Sequence, residues 1–334
     1  MSVTIEPYAS ADALAGPDLE AATAIVNATW AEWIDGERRM STAAYADLDR
    51  QAMPSEVHER RLARDGQGRV VGVGSIEWRR EEPAPGASVA RVMVGPGARA
   101  GGVGRALTEE LVAVARAAGR IGVSLEAAVD SVADRLCERA GLREDLVIEL
   151  NRADSRAATY GLLAGWIKTG EAAPGYSLIT YDSRCPDELA EAFVAARHIM
   201  NDAPRYEGEP EARYSVEELR SAEVTNVVAR HDWWAVGIRH DESGEVVGLS
   251  DLFLPQARPW IAFQGDTGVA AAHRGHRLGA WMKAVNHQRL RRERPDVDVV
   301  STWNASQNEP MLRINRALGF APAQRFRVWF LPLG

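Results

Sequence analysis

The chain has 334 residues, 46% of them hydrophobic and 26% charged, which is the balance of a soluble globular protein with room for two domains of ordinary size. Its formal net charge of −8 offers no long-range attraction for nucleic acid or an anionic membrane, and no apolar run approaches membrane-spanning length. Cys137 and Cys185 lie in different halves without metal or disulfide spacing, and the N-terminus lacks a basic leader, so a cytoplasmic chain without a metal site is expected.

In chain order, residues 2–8 read as a strand and Pro17 to Trp30 as a helix. A polar stretch with Trp33, Arg38 and Arg39 follows, then a second helix from Thr42 to Gln51. Arg69 to Trp78 alternates around Gly72 and Gly74 as a strand, Glu81 to Gly86 is a turn, and Ala87 to Val94 is another strand. A glycine-rich segment ends at Gly104 and leads into a helix with an apolar face of Val103, Leu107, Leu111 and Val114. Strands at Val123 to Val129 and Asp145 to Leu150 flank a helix from Ser131 to Ala140. Ala157 to Trp166 reads equally as helix or strand, and Thr169 to Gly175 as a linker.

The second half starts with a strand, Tyr176 to Tyr181, and a helix, Pro186 to Ile199. Ser215, followed three residues on by Glu218, opens a capped helix. Asp232 to Ile238 and Val246 to Leu254 form a hairpin around Asp241 to Gly244. Trp260 to Val269 is a strand broken by Gln264, Gly265 and Asp266, and Leu278, Trp281, Met282, Val285 and Leu290 mark the next helix. A strand (Val297 to Trp303), a helix (Pro310 to Leu318) and a closing strand (Gln324 to Leu333) complete the chain. The fold class is α/β, mixed α+β, in two tandem domains: 1–155, a linker at 156–175, and 176–334.

The tandem reading rests on register. Val94 and Val269, Arg99 and Arg274, and Gly104 and Gly279 are each 175 positions apart, and each loop is followed by a helix, a strand, a second helix and a Gly-apolar pair, Gly141-Leu142 and Gly319-Phe320. Agreement at three positions with the same downstream order implies an internal duplication. Where a strand stops and a helix starts, several N–H groups lack intrahelical partners and the positive end of the macrodipole is exposed, a geometry that suits a diphosphate. Gly95 to Ala100 mimics a dinucleotide fingerprint, but it does not follow a first strand, and no Gly-Lys-Ser/Thr loop is present. One such loop alone reads best as a tight turn; two in register, each with an arginine, favour a ligand.

Arg99-x-x-Gly102-x-Gly104 resembles the Arg/Gln-x-x-Gly-x-Gly/Ala loop of the GNAT superfamily of acetyl-CoA-dependent N-acetyltransferases. The second half, with Gln264-Gly-Asp-Thr267, His273-Arg-Gly-His-Arg-Leu-Gly279, Thr302-Trp-Asn304 and Asn308…Leu318-Gly319-Phe320, resembles the tandem members of that superfamily common in actinobacteria. The resemblance implies two domains, each a mixed, mostly antiparallel sheet flanked by helices, with acetyl-CoA as cofactor. It implies that pantetheine lies between two splayed strands, those ending at Val269 and Trp303. The implied cofactor-binding residues are Val269, Arg274, Gly275, His276, Arg277, Leu278, Gly279 and Asn308 in the second copy. In the first copy they are Val94, Arg99, Gly101, Gly102, Val103 and Gly104.

The chain departs from the family at the tyrosine that usually protonates the departing thiolate: that position is Asn315 in one copy and Cys137 in the other. Arg277 takes the first glycine position of its loop, either adding a phosphate contact or obstructing the backbone approach. Asn308 reads as a cofactor contact or as an ordinary helix N-cap ahead of Pro310. The first copy has Asp130 where the second has Asn308, and a carboxylate beside an anionic cofactor is unfavourable. Catalysis is therefore expected in the second copy, with Asp266 as base and Asn304 at the neighbouring strand end as the catalytic candidates; Glu126 is the looser choice in the first. Asp202 and Asp251 read as solvated carboxylates or as holders of the acceptor's cation. The basic run from Arg289 to Arg294 reads as a solvated helix end. The expected reaction is N-acetylation of a small-molecule amine such as an aminosugar, with no nucleic-acid or membrane partner, by a monomer that is a pseudo-dimer or by a homodimer. The alternative is a non-catalytic acyl-CoA-binding or scaffold protein.

Overall fold

A computed structural model of the chain describes residues 2–80, 85–205 and 211–334. The first half contains β1 (Thr4–Tyr8), α1 (Gly16–Trp33), α2 (Thr42–Asp49), β2 (Glu56–Arg64), β3 (Val70–Arg79), β4 (Ala87–Val94), α3 (Val103–Ala117), β5 (Gly122–Ala128), α4 (Val132–Arg139) and β6 (Arg143–Asp154). There follow α5 (Tyr160–Glu171), β7 (Tyr176–Asp182), α6 (Asp187–Arg197), α7 (Val216–Val228), β8 (His231–His240), β9 (Val246–Pro255), β10 (Ile261–Val269), α8 (Leu278–Glu293), β11 (Val299–Ala305), α9 (Glu309–Ala317) and β12 (Ala321–Pro332). Most of the expected turn at Glu81 to Gly86 lies outside the described residues.

The chain forms two compact units, and each draws on both halves of the sequence. The first contains residues up to Ile148 and takes in the C-terminal Gln324–Gly334; the second contains Glu149–Pro204 and Glu211–Ala323. In the first, the strand order is β1-β2-β3-β4-β5-β12. All its neighbours are antiparallel except β4 and β5, and β12 is registered on β5 from Phe326–Ala128 to Pro332–Gly122. In the second, the order is β7-β8-β9-β10-β11, followed by the end of β6. There β10 and β11 form the parallel pair, while β7, β8, β9 and β10 pair antiparallel in turn. The last strand of each sequence copy therefore completes the sheet of the other unit.

Local chemistry accounts for most boundaries. Ser41, Ser131 and Thr159 accept from the amides three residues on and start α2, α4 and α5. Ser215 and Glu218 form the reciprocal capping box expected for α7. In the first unit, α3 lies on the face of β3 where Gly72 and Gly74 remove side chains: a Cβ on Gly72 would come within 3.0 Å of Leu107 and Val103. Leu107, Leu111, Ile76, Ala90 and Val123 are buried there. In the second unit, Leu252, Leu254, Ala262, Val300 and Leu290 form a core that also takes Leu163 of α5.

Two stretches differ from the sequence reading. The segment that reads equally as helix or strand is the helix α5, which runs on through Glu171 into the stretch taken for a linker. It packs so closely on α8 that a Cβ on Gly170 would fall 2.0 Å from the Trp281 ring. β2 has no counterpart in the sequence reading. Its Glu-Val-His-Glu-Arg-Arg-Leu-Ala-Arg run looks like solvated surface, yet Arg60 and Arg61 are buried and pair with Asp49, Glu59 and Glu110.

Candidate functional site

The two strand-to-helix junctions are built alike. β4 and β5 are in register from Ala87–Gly122 to Ala90–Leu125, yet run on to Val94 and Ala128. β10 and β11 are in register from Ile261–Val299 to Phe263–Ser301 and run on to Val269 and Ala305. Parallel strands that stop pairing before they end leave a V-shaped opening with main-chain groups on its walls.

Beyond each opening comes a short 3-10 turn, Pro96–Ala98 or Ala271–His273. The following arginine then ties the loop to the strand: Arg99 Nε donates to the Val94 carbonyl at 3.2 Å, and Arg274 Nε to that of Val269 at 3.0 Å. Ala100 and Gly275 adopt left-handed backbone, as do the N-cap residues Gly102 (φ 84°) and Arg277 (φ 59°). Neither α3 nor α8 has a side-chain cap, and their helical bonding begins with Ala106 N to Gly102 O and Trp281 N to Arg277 O. The amides of residues 278–280 therefore precede the first helical bond. A Cβ on Gly275 or Gly102 would meet nothing within 4 Å, so the outer face of each loop is open.

All the loop residues singled out from sequence lie on these junctions. Val103 and Leu278 are buried at 1% exposure and anchor the helices, leaving only main chain to a ligand. The guanidinium groups are partly engaged, Arg99 with Glu32 at 2.7 Å and Arg274 with Asp202 at 2.6 Å, so Asp202 already has a cation. His273 Nδ1 meets the Tyr176 hydroxyl at 3.0 Å, with the His240 and His276 rings beside that tyrosine. Asn308 is the N-cap residue of α9 by position, but its side chain makes no capping hydrogen bond.

The openings differ in what borders them. In the first unit, β3 and β4 stay in uninterrupted register from Gly72–Val94 to Glu77–Val89. Just past the last β4–β5 pair, Arg91 reaches across to Glu126 (3.1 Å) while also holding Glu77 (2.8 Å). In the second unit, the β9–β10 register slips between Gln264–Leu252 and Thr267–Ser250, so Gly265 and Asp266 bulge opposite Asp251. Gly265 is required there, because a Cβ would sit 2.6 Å from the Phe253 ring.

Asp266 occupies the position equivalent to Arg91 and faces Arg197 of α6 at 2.9 Å. Arg197 also holds Asp251 at 2.8 Å, and Asp251 accepts from Trp233 Nε1 at 2.9 Å. One guanidinium thus serves two carboxylates, leaving one negative charge in surplus. The Asp251 side chain is 4% exposed and that of Asp266 is 40%, so the surplus is reachable only at Asp266. Recessed among protein atoms, Asp266 is held above the ordinary carboxyl range by desolvation; Arg197 pulls it down and Asp251 pushes it up. Asp251, enclosed and paired, is not the solvated carboxylate its sequence context suggests.

Across the opening, Asn304 at the end of β11 accepts from Asn315 Nδ2 at 2.8 Å and from Asn151 Nδ2 at 3.5 Å. Asn315 Oδ1 in turn accepts from Lys283 Nζ at 2.8 Å, and both Lys283 and Asn315 are 1% exposed. Burial lowers Lys283 to about 7. One turn along α8, burial and then Lys283 itself lower His287 to about 3, and His287 Nε2 has no partner among the described residues. In the first unit, burial and then Asp134 push the Cys137 thiol up to about 11. No hydrogen bond joins Asp266 to Asn304 among the described residues; they stand on the two strands that border one opening.

Sequence reasoning missed Arg197 and Lys283. A lysine amid Trp281, Met282 and Ala284 was the available signal, masked because α8 is buried nearly all round in its first turns. Among the described residues no cluster of His, Cys, Asp and Glu could hold a metal, and no helix is long and apolar enough to cross a membrane.

Residues 23–142 match the acetyltransferase (GNAT) family model. The whole chain is similar to a solved tandem GNAT protein from the clavulanic acid biosynthesis pathway, with 26% identity, 100% of this chain and 99% of that one covered, and a TM-score of 0.77. It shares its fold with a GCN5-related N-acetyltransferase from Sphaerobacter thermophilus (15% identity, 99% and 95% covered, TM-score 0.61). The same holds for a glucosamine N-acetyltransferase region of a fungal multi-domain β-N-acetylglucosaminidase (14% identity, 99% and 38% covered, TM-score 0.63). No curated protein gives a significant match.

Proposed function

We propose that this chain, residues 23–142 of which match the acetyltransferase (GNAT) family model and all of which is similar to a solved tandem GNAT protein, is an N-acetyltransferase built of two such units in tandem, and that its second unit acetylates a small-molecule primary amine by direct attack of nitrogen on the thioester of acetyl-CoA. The observation that carries the reading is the bulged opening between β10 and β11, with Asp266 holding the accessible share of a surplus negative charge.

Acetyl-CoA, when bound, supplies the activated acetyl group. The uncapped start of α8 and the open face of Gly275 fit its diphosphate, with amides from Arg277 to Ala280 as donors and the Arg277 side chain as an added cation. Val269 main chain serves the pantetheine and Asn308 lies beyond it. A primary amine arrives as ammonium, which the surplus charge at Asp266 attracts. Asp266 then takes its proton, directly or through water; a carboxylate raised above its ordinary range is the better base at neutral pH. Arg197 fixes the orientation of that carboxylate, and Asn304 offers an amide on the opposite wall.

A second reading, a non-catalytic acyl-CoA-binding or scaffold role, applies to the first unit. Its opening is crossed by Arg91 and Glu126, and the acid position holds Cys137. Two such units in one chain let a monomer act as a pseudo-dimer. The test is calorimetric titration with acetyl-CoA, followed by a thiol-release assay on a panel of amines that includes aminosugars, with Asp266→Asn as control. Turnover lost in D266N with binding retained supports the reading. Absence of cofactor binding overturns it, and binding without turnover on any amine moves the whole chain to the scaffold reading.

A further inference from the structure

We propose that Lys283, Asn315 and Asn304 form a directional hydrogen-bonded line that presents the amide N–H of Asn304 to the β10–β11 opening and stabilises the coenzyme A thiolate as it departs, in place of a phenolic acid. The inference rests on the coenzyme A reading of the second unit given above.

The direction of the line follows from donor and acceptor chemistry. An ammonium only donates, so Asn315 must turn Oδ1 toward Lys283, and its Nδ2 faces the other way. The group that meets Nδ2 must be an acceptor, which fixes Asn304 with Oδ1 inward. Asn151 Nδ2 approaches the same oxygen and reinforces the choice. The Nδ2 of Asn304 then has no partner among the described residues, and it belongs to a residue on the wall of the opening. Each hydrogen bond polarises the next, so a charge at Lys283 strengthens the donor at the far end.

The lysine is otherwise hard to account for. It is enclosed at 1% exposure with no carboxylate paired to it among the described residues; the groups around it are Asn315, the Phe320 ring at 5.9 Å, and the neutral His287 one turn along. A buried cation without an anion suits a site where the anion appears only during the reaction. The first unit supplies a comparison. The positions equivalent to Lys283, Asn315 and Asn304 there are Thr108, Cys137 and Glu126. Thr108 bonds to the Gly104 carbonyl and Glu126 to Arg91. The line is replaced at all three positions in the unit whose opening is bridged.

In the step concerned, the bond from the amine nitrogen to the acetyl carbon forms while the carbon–sulfur bond breaks. The electron pair stays on sulfur; Asp266, having passed the ammonium's first proton on to solvent before the attack, takes the second as the nitrogen becomes an amide, and the thiolate is held unprotonated until it takes a proton from solvent. Lys283 acts through its neighbours and is a positioning residue.

The experiment is ultraviolet titration of the thiol of bound free coenzyme A in the full-length protein, comparing wild type, Lys283→Met and Asn315→Asp. The aspartate keeps the shape of Asn315 while neutralising Lys283, and so serves if K283M does not fold. In wild type the bound thiol ionises about one pH unit or more below free coenzyme A. Both variants lose that shift, bind coenzyme A within about threefold of wild type, and lose about tenfold to a hundredfold in kcat with KM little changed. A lysine that merely ties α8 to α9 would alter the melting temperature and leave thiol ionisation where it was. Equal thiol ionisation in wild type and a folded variant overturns the inference. Failure of wild type to bind coenzyme A is a separate outcome, which removes the underlying reading and the inference with it.

Discussion

Replacing Lys283 by methionine tests the energetics of the buried line without any substrate. Lys283 titrates at about 7 in the folded chain against an ordinary 10.5, a difference that corresponds to about 5 kcal/mol at full protonation. Between those values the unfolded chain holds a proton that the folded one has released, so stability rises with pH across that window. Below about pH 7 the whole cost is present; above 10.5 it is gone. Lys283→Met removes the cost at every pH but leaves Asn315 Oδ1 without its donor, a loss of about 1–3 kcal/mol. At pH 6 the variant should be more stable by about 2–4 kcal/mol, and by pH 10.5 the order should reverse. Urea unfolding followed by tryptophan fluorescence at several pH values reads this directly. Two units need not unfold together, so the transition that changes must be the second unit's. A variant less stable at pH 6, or a difference flat with pH, would refute the reasoning. Stability given up at a buried charge is the ordinary mark of a group kept for activity.

Asp266→Asn should lower kcat by about 10²–10⁴-fold with acetyl-CoA affinity little changed, as read by steady-state kinetics and calorimetry. In the wild type, activity should fall as acidification protonates Asp266, at a pH above the ordinary aspartate range because desolvation raises it. Gly170→Ala would drive a Cβ to 2.0 Å from the Trp281 ring and should destabilise the second unit by about 3 kcal/mol or more, seen as a lower melting temperature. Arg277→Gly would relieve a left-handed arginine and should stabilise by about 1 kcal/mol. The same change should weaken acetyl-CoA binding if the guanidinium contacts phosphate, and unchanged affinity would show that only its amide takes part.

The junctions were legible because duplication doubled their signal. A pattern too weak in one loop gained weight at a spacing of 175 residues, and Gly102 and Arg277 adopt the same backbone despite their chemistry. The bulge at Gly265 left a trace as a polar break in an apolar strand, but not its consequence, the pairing of Asp266 with a half-buried arginine of α6, 69 residues away in sequence. β2 escaped because buried arginines paired with acids look like surface in a linear reading. The line from Lys283 to Asn304 escaped for a related reason: a lysine among apolar neighbours is read as the polar side of a helix, and α8 has almost none in its first turns. Strand order is least visible of all, because β6 and β12 carry nothing that says which of two similar sheets they complete.

That crossing-over binds the fate of the halves. With residues 324–334 belonging to the first unit and residues 149–154 to the second, neither half can be trimmed away as a self-sufficient module. A chain shortened to its second copy would leave β11 bare along one side, and one shortened to its first would do the same to β5. Such bare edges invite aggregation. A copy that no longer turned over substrate would still be retained by selection, as the neighbour that finishes its sibling's sheet.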